Sequence, residues 1–328
     1  MKPKLDKLPP FLRIGRGLKG PALLLPGLLW LSSCWISVIH AQSYDYYSID
    51  KTTRFEVITV KDGLSTDWIT CIHQDKYGFI WIGSELGLNL YDGYTIQVFN
   101  SDPGDSTALF NNYIHQILEE DDGTLWFSTK LGISRFNRAN RTFDNYIPDA
   151  EDLTSPKNNV QKIASDGDHM WIDVPNDLLR LDKLTGTFES FGKNTREPDK
   201  GIRYRKSNFI FVDRSGTLWA VSDSTKGHAA LSRFNKETGT FDHFETDPAD
   251  PASFQRAWTK SMLEDSKGTL WFATDLGLFE MPDRTKNEFR HYEHRDGDSS
   301  SIFGGVLDAL YEDSKGNLWI GEPQSVAK

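Results

Sequence analysis

Short apolar runs alternate with tight polar turns along most of this chain, and the alternation returns at a long, nearly fixed period. Six tryptophans mark it: Trp81, Trp126, Trp171, Trp219, Trp271 and Trp319, spaced 45, 45, 48, 52 and 48 residues apart. Three positions before the marker stand Gly78, Gly123, Gly216, Gly268 and Gly316; six before stand Asp75, Glu120, Asp213, Asp265 and Asp313. The third unit departs at both places, with Asp168 and Ser165. An acidic side chain capping a turn, a glycine free to adopt the left-handed conformation and a tryptophan after them predict a hairpin between two short strands.

Each unit holds material for four strands. Ile69 and Ile72, Ile114 and Ile117, or Met262 and Leu263 supply a first apolar strand, and the marker Trp opens a second. Gly87-Leu88, Gly132-Ile133 and Gly277-Leu278 start a third. Residues 143–146, 188–191, 241–244 and 289–292 form the fourth, reached through turns such as Asp92-Gly93, Thr185-Gly186 and Thr238-Gly239. Four short strands per repeat of this length predict an all-β fold, a β-propeller of four-stranded blades. Six units are present and the last is incomplete, so a longer parent with a further, final blade is expected. Residues 55–60 are a candidate outer strand for its final blade. The marker tryptophans are expected to pack between blades, and a single carboxylate per turn does not make a calcium site, which needs six to eight oxygens.

Charge divides the chain. Six of the 37 basic residues but only one of the 47 acidic ones lie in residues 1–41, leaving 31 basic against 46 acidic groups beyond. A body of formal charge −15 is a poor partner for phosphate backbones, so nucleic acid is not expected as a ligand. The basic start, an apolar run over residues 22–39 and a small residue at Ala41 read as a secretory signal cleaved after Ala41, placing residues 42–328 outside the cytoplasm. Two alternatives stay open: lipidation at Leu31-Ser32-Ser33-Cys34, and an uncleaved signal anchor. Of the two cysteines, Cys34 leaves with the signal, and Cys71 is then a partnerless core residue, so neither a disulfide nor a cysteine metal site is expected.

The run Asp75-Lys76-Tyr77-Gly78-Phe79-Ile80-Trp81-Ile82-Gly83, its copies at residues 265–274 and 313–321, and Asp62-Gly63-Leu64 ahead of the first blade resemble the two-component regulator propeller repeats. Such repeats form the periplasmic sensor region of Bacteroidetes hybrid sensor histidine kinases. The resemblance covers roughly residues 50–321. It implies a periplasmic propeller, seven-bladed in its parent and inner-membrane anchored in the full-length form, that binds oligosaccharides and signals to downstream membrane and kinase domains. It implies a homodimer as a further partner arrangement. Those downstream parts are not in this sequence, which reads as an N-terminal fragment of such a sensor, truncated at its C-terminal end.

Chemistry is sparse. The histidines occupy unrelated blade positions, and no zinc-binding His spacing, nucleophile elbow or phosphate loop occurs, so no catalytic residue, metal or cofactor is expected. Paired acids such as Glu119-Glu120 and Asp121-Asp122 read as solvated turn residues. A lyase similar to virginiamycin lyases is an alternative on fold analogy alone, and a protein-interaction scaffold is another. One pattern exceeds what a blade needs. Thirteen residues before the marker, where each inter-blade loop enters its first strand, stand Trp68, Tyr113 and Trp258. These aromatics are expected to stack on sugar rings, with Asp67, Asn111, Asn112 and Arg256 supplying hydrogen bonds; packing between blades is the competing reading. Polar loops at residues 102–105, 149–152, 247–250 and 296–298 are expected on the same face.

Overall fold

Every marker tryptophan lies on the second strand of an antiparallel sheet whose strands follow chain order, as the repeat predicts. The computed structural model describes residues 56–192, 200–202, 206–223, 229–244, 253–254, 257–298, 300–302, 304–322 and 325–327; the signal-like stretch 1–41 and the loop 247–250 lie outside these. The first blade comprises β1 (Ile69–Gln74), β2 (Ile80–Ser84), β3 (Leu88–Tyr91) and β4 (Ile96–Phe99). The second comprises β5 (Ile114–Glu119), β6 (Leu125–Thr129), β7 (Gly132–Asn137) and β8 (Thr142–Tyr146). The third has β9 (Lys162–Ser165), β10 (His169–Val174), β11 (Asp177–Asp182) and β12 (Phe188–Ser190). The fourth has β13 (Lys206–Val212), β14 (Leu218–Asp223), β15 (Ala229–Asn235) and β16 (Thr240–Phe244). The fifth has β17 (Thr259–Glu264), β18 (Leu270–Thr274), β19 (Gly277–Met281) and β20 (Arg290–Tyr292). The sixth holds three strands, β21 (Ala309–Glu312), β22 (Leu318–Glu322) and β23 (Ser325–Ala327). The first strands of successive blades pack on one another in order, so the all-β propeller reading holds.

The turns form as expected, and their side chains do more than cap. Asp75 Oδ1 accepts from the Tyr77 and Phe79 N–H groups at 3.0 Å, and Gly78 takes φ +92°, where a Cβ would be strained. The other oxygen, Oδ2, accepts the Trp81 indole N–H at 2.9 Å. The same indole bond recurs from Trp126 to Glu120, Trp219 to Asp213, Trp271 to Asp265 and Trp319 to Asp313. In the third blade the turn is one residue shorter, with Asp166 N–H bonded to the His169 carbonyl. Asp166, five residues before Trp171, therefore replaces Ser165 as the indole's partner at 2.9 Å.

The core sits between blades. Trp81 packs with Ile117, Leu125, Phe127 and Phe143 of the second blade, and Trp219 with Met262, Phe272 and Phe289 of the fifth. Second and third strands are sandwiched on both faces, which is why β6 and β19 are buried at every residue rather than alternating. Cys71 packs at the edge of the first seam, as expected of a small core residue.

Polar groups latch the same seams. Arg138 of the second blade reaches Asp75 of the first at 2.8 Å, Lys183 of the third reaches Glu120, and Arg284 of the fifth reaches Asp213 at 2.8 Å. Seven residues before the marker, Glu119, Glu264 and Glu312 accept backbone N–H groups of the preceding blade from Lys76, Arg214 and Ser266 at 3.0, 2.6 and 2.6 Å. The solvated reading of Glu119-Glu120 is thereby corrected: both carboxylates are committed to seams, Glu119 also meeting His73 at 2.7 Å. The seam between the third and fourth blades differs. Its position seven before the marker is Val212, no ion pair crosses it among the described residues, and Trp171, Phe191, Phe234 and Phe241 fill it.

The final blade that a 55–60 strand would close is not among the described residues. Over the described part of residues 55–60 there is no strand; Val60–Asp62 is a 3-10 turn, closed by a capping box between Thr59 and Asp62. The local bonds of that box satisfy the backbone without a neighbouring sheet. No helix among the described residues is long and apolar enough to cross a membrane.

Candidate ligand-binding site

Trp68, Tyr113 and Trp258 occupy structurally equivalent places, each immediately before its blade's first strand. The carbonyl of each accepts the backbone N–H seventeen residues on, from Glu85, Lys130 and Asp275, in the turn joining the second and third strands. This clamp fixes the three at the entry end of the first strands. Trp68 and Tyr113 belong to neighbouring blades, and Trp258 stands three blades beyond Tyr113.

Their surroundings separate them. Trp68 is 72% exposed and Trp258 44% exposed, whereas Trp81, Trp126, Trp171 and Trp219 are fully buried. Packing between blades therefore does not account for Trp258, whereas Trp68 stands on the first blade, whose outer face is open. Exposed leucines, Leu86 and Leu276, follow the clamp donors Glu85 and Asp275 in the adjoining turns. The sequence reading missed these leucines, although Leu-Gly recurs at residues 86–87, 131–132 and 276–277.

Tyr113 is not an open stacking platform. The Lys130 ammonium sits 3.7 Å from its ring centroid, and the His115 ring lies 4.7 Å away, tilted by 46°. Burial pushes the His115 imidazole below its ordinary pKa, the Lys130 charge adds to that, and a bond to Asn159 opposes it. Of the predicted hydrogen-bonding groups, Asp67 accepts the Val60 N–H at 3.1 Å. Asn111 accepts that of Tyr113 at 3.0 Å and Asn112 that of Ser101 at 2.7 Å. All three shape the loop entering the strand. Arg256 lies outside the described residues.

The opposite end of the first strands carries a cleft of about 960 Å³, lined by β5, β9, β13 and the turns after them, including Leu118, Ile163, Phe211, Asp121 and Arg214. None of the six described among the seven predicted residues lines it. Most of its carboxylates, Glu119, Glu120, Asp166 and Asp213 among them, are engaged in the seam and indole bonds described above. No cluster of metal-binding side chains occurs among the described residues.

Blades of this construction define a β-propeller repeat protein. The chain carries the two component regulator propeller repeat: the family model matches residues 63–85, 108–130 and 301–322. Histidine kinase P4 of Formosa agariphila is 42% identical over 55 residues, which are 17% of this chain and 4% of that protein. Among solved structures, the extracellular domain of a putative hybrid two component system from B. thetaiotaomicron aligns with a TM-score of 0.52 at 20% identity, over 81% of this chain and 40% of that one. Virginiamycin B lyase from Staphylococcus aureus aligns equally well, with a TM-score of 0.52 at 14% identity over 77% of each chain. At such identities both structures speak to the fold alone. The chain thus spans less than half of the sensor domain and a small fraction of the kinase it resembles.

Proposed function

We propose that this chain is the ligand-receiving propeller of an extracytoplasmic two-component sensor, and that it binds an oligosaccharide at the entry rim. Trp258 carries the reading. Its blade has a neighbour on each side, so its exposure does not come from an open edge, and the fold gains nothing from a large indole left in water. Exposed indoles offer the flat apolar faces on which sugar rings stack. The family match supports the sensor role, and the kinase to which the signal passes belongs to a longer protein of this kind. A ligand shifts such a sensor only through its differential affinity for two states.

The experiment is calorimetric titration and thermal unfolding of the chain with a panel of plant and host oligosaccharides, repeated on Trp68→Ala and Trp258→Ala. One saccharide is expected to raise the unfolding midpoint, and each variant to lose about tenfold or more in affinity while melting like the parent. If no saccharide shifts the midpoint, or both variants bind as the parent does, the proposal falls.

A further inference from the structure

We propose that the entry rim is built for an anionic saccharide, one bearing carboxylate or sulfate groups; the inference rests on the oligosaccharide reading and narrows it.

The observation is a set of lysines mounted on aromatic rings at the entry end of the first strands. Lys130 Nζ stands 3.7 Å from the Tyr113 ring centroid, Lys260 Nζ 5.9 Å from that of Trp258, and Lys162 Nζ 4.9 Å from that of Phe209. Lys162 is the first residue of β9 and Lys260 the second of β17, so all three lie at the rim and not at the cleft end. None of the three is in an ion pair among the described residues. An ammonium held over a ring face keeps donors free on its far side.

The two acids flanking the rim indoles are spent on the backbone. Asp67 accepts the Val60 N–H, and Asp275 accepts the Trp258 N–H at 2.6 Å. Glu85, whose N–H is clamped to the Trp68 carbonyl, stands on the first blade, so the charged groups of the ligand are expected at the second, third and fifth blades. In a body of formal charge −15, cations without acid partners at the aromatic rim run against the general balance. Tyr113 fits this arrangement: at the position where a bare platform was expected, the ring carries a cation. A sugar ring lying on Trp258 would turn a carboxylate or sulfate toward Lys260, a charge-assisted contact that a neutral sugar cannot make.

The test compares three hexasaccharides on the same chain: hexagalacturonate, a heparin hexasaccharide and neutral β-1,4-galactohexaose. At least one anionic probe is expected to bind about tenfold or more tightly than the neutral one. Lys130→Ala and Lys260→Ala should each weaken the anionic probe by about three- to tenfold and leave the neutral one unchanged, with partial rescue by arginine. Lys315→Ala, in the sixth marker turn at the far end, should change nothing. Which anionic probe binds separates carboxylate from sulfate recognition. If galactohexaose binds as well as either anionic probe, or Lys315→Ala weakens binding as much as the rim variants do, the inference is overturned while the oligosaccharide reading survives. Failure of all three probes on every variant removes both.

Discussion

Arg138 of the second blade and Trp81 of the first donate to the same oxygen, Asp75 Oδ2, at 2.8 and 2.9 Å. One buried carboxylate thus holds its own turn, its own blade's indole and the next blade. Arg284 and Trp219 share Asp213 Oδ2 in the same way across the seam of the fourth and fifth blades. Removing Asp75 by substitution to Ala leaves the indole N–H and a partly buried guanidinium without their partner. A loss of about 3 kcal/mol is expected, against about 1 kcal/mol for Arg138→Ala, whose side chain is more open to water. Urea unfolding followed by tryptophan fluorescence measures both.

Acid should act through the same turns. Burial alone would push the Asp75 carboxyl up, but the bonds from Trp81, Arg138 and the Phe79 N–H outweigh it and hold the group below the usual carboxylate range. Asp265 is held low in the same manner, by Trp271 and the N–H groups of Thr269 and Lys267 against its burial. A folded pKa below the unfolded one means that the stabilisation is complete above the ordinary Asp value of about 4 and is lost as pH falls through the lower folded value. Stability is therefore expected to be level near neutrality and to drop below about pH 4. Asp75→Asn should flatten that drop; an unchanged acid limb in this variant would show that other carboxylates carry it.

Two glycines separate backbone strain from collision. Gly277 has φ +116°, and a Cβ there would come within 2.5 Å of the Tyr292 carbonyl oxygen, whereas Gly78 has φ +92° with nothing within 4 Å. Gly277→Ala is expected to cost about 2–3 kcal/mol or more and Gly78→Ala about 1 kcal/mol, as read from denaturation midpoints.

Equivalent isoleucines should respond unequally. Ile117→Ala empties a site packed between the first two blades and is expected to cost about 2–4 kcal/mol. Ile72→Ala, at the matching position of the first blade but largely in water, should stay within about 0.5 kcal/mol. Equal losses at the two positions would mean that the first blade's face is covered in solution.

What the sequence made legible was whatever recurs within one unit. The turn carboxylate, its glycine and the marker indole keep fixed offsets, so hairpins, strand order and the buried role of the tryptophans all follow from period alone. The seam latches escaped because their cations come from the next blade: Arg138 and Asp75 are 63 residues apart, and Arg284 and Asp213 are 71 apart. Each stands twelve or thirteen residues after its own blade's marker, but the residue type changes between Arg and Lys and the partner lies in another unit, so no short motif exposes them. In the third unit the departure at Ser165 hid a shortened turn, which moves the acid by one residue and keeps the bond. At the rim, the places of Trp68, Tyr113 and Trp258 were legible, but the occupation of Tyr113 was not, since Lys130 arrives from the turn seventeen residues later.

The seam between the third and fourth blades, filled by aromatic rings and closed at its seventh position by Val212 instead of a carboxylate, gives the molecule two kinds of weakness. Contacts between rings lose strength on cooling, because apolar burial is driven by entropy near room temperature. Carboxylate latches are indifferent to cold and yield to protons instead. Chilling therefore weakens every seam, since all are lined by apolar rings, whereas acid acts where a carboxylate latch is present and spares the joint closed by Val212.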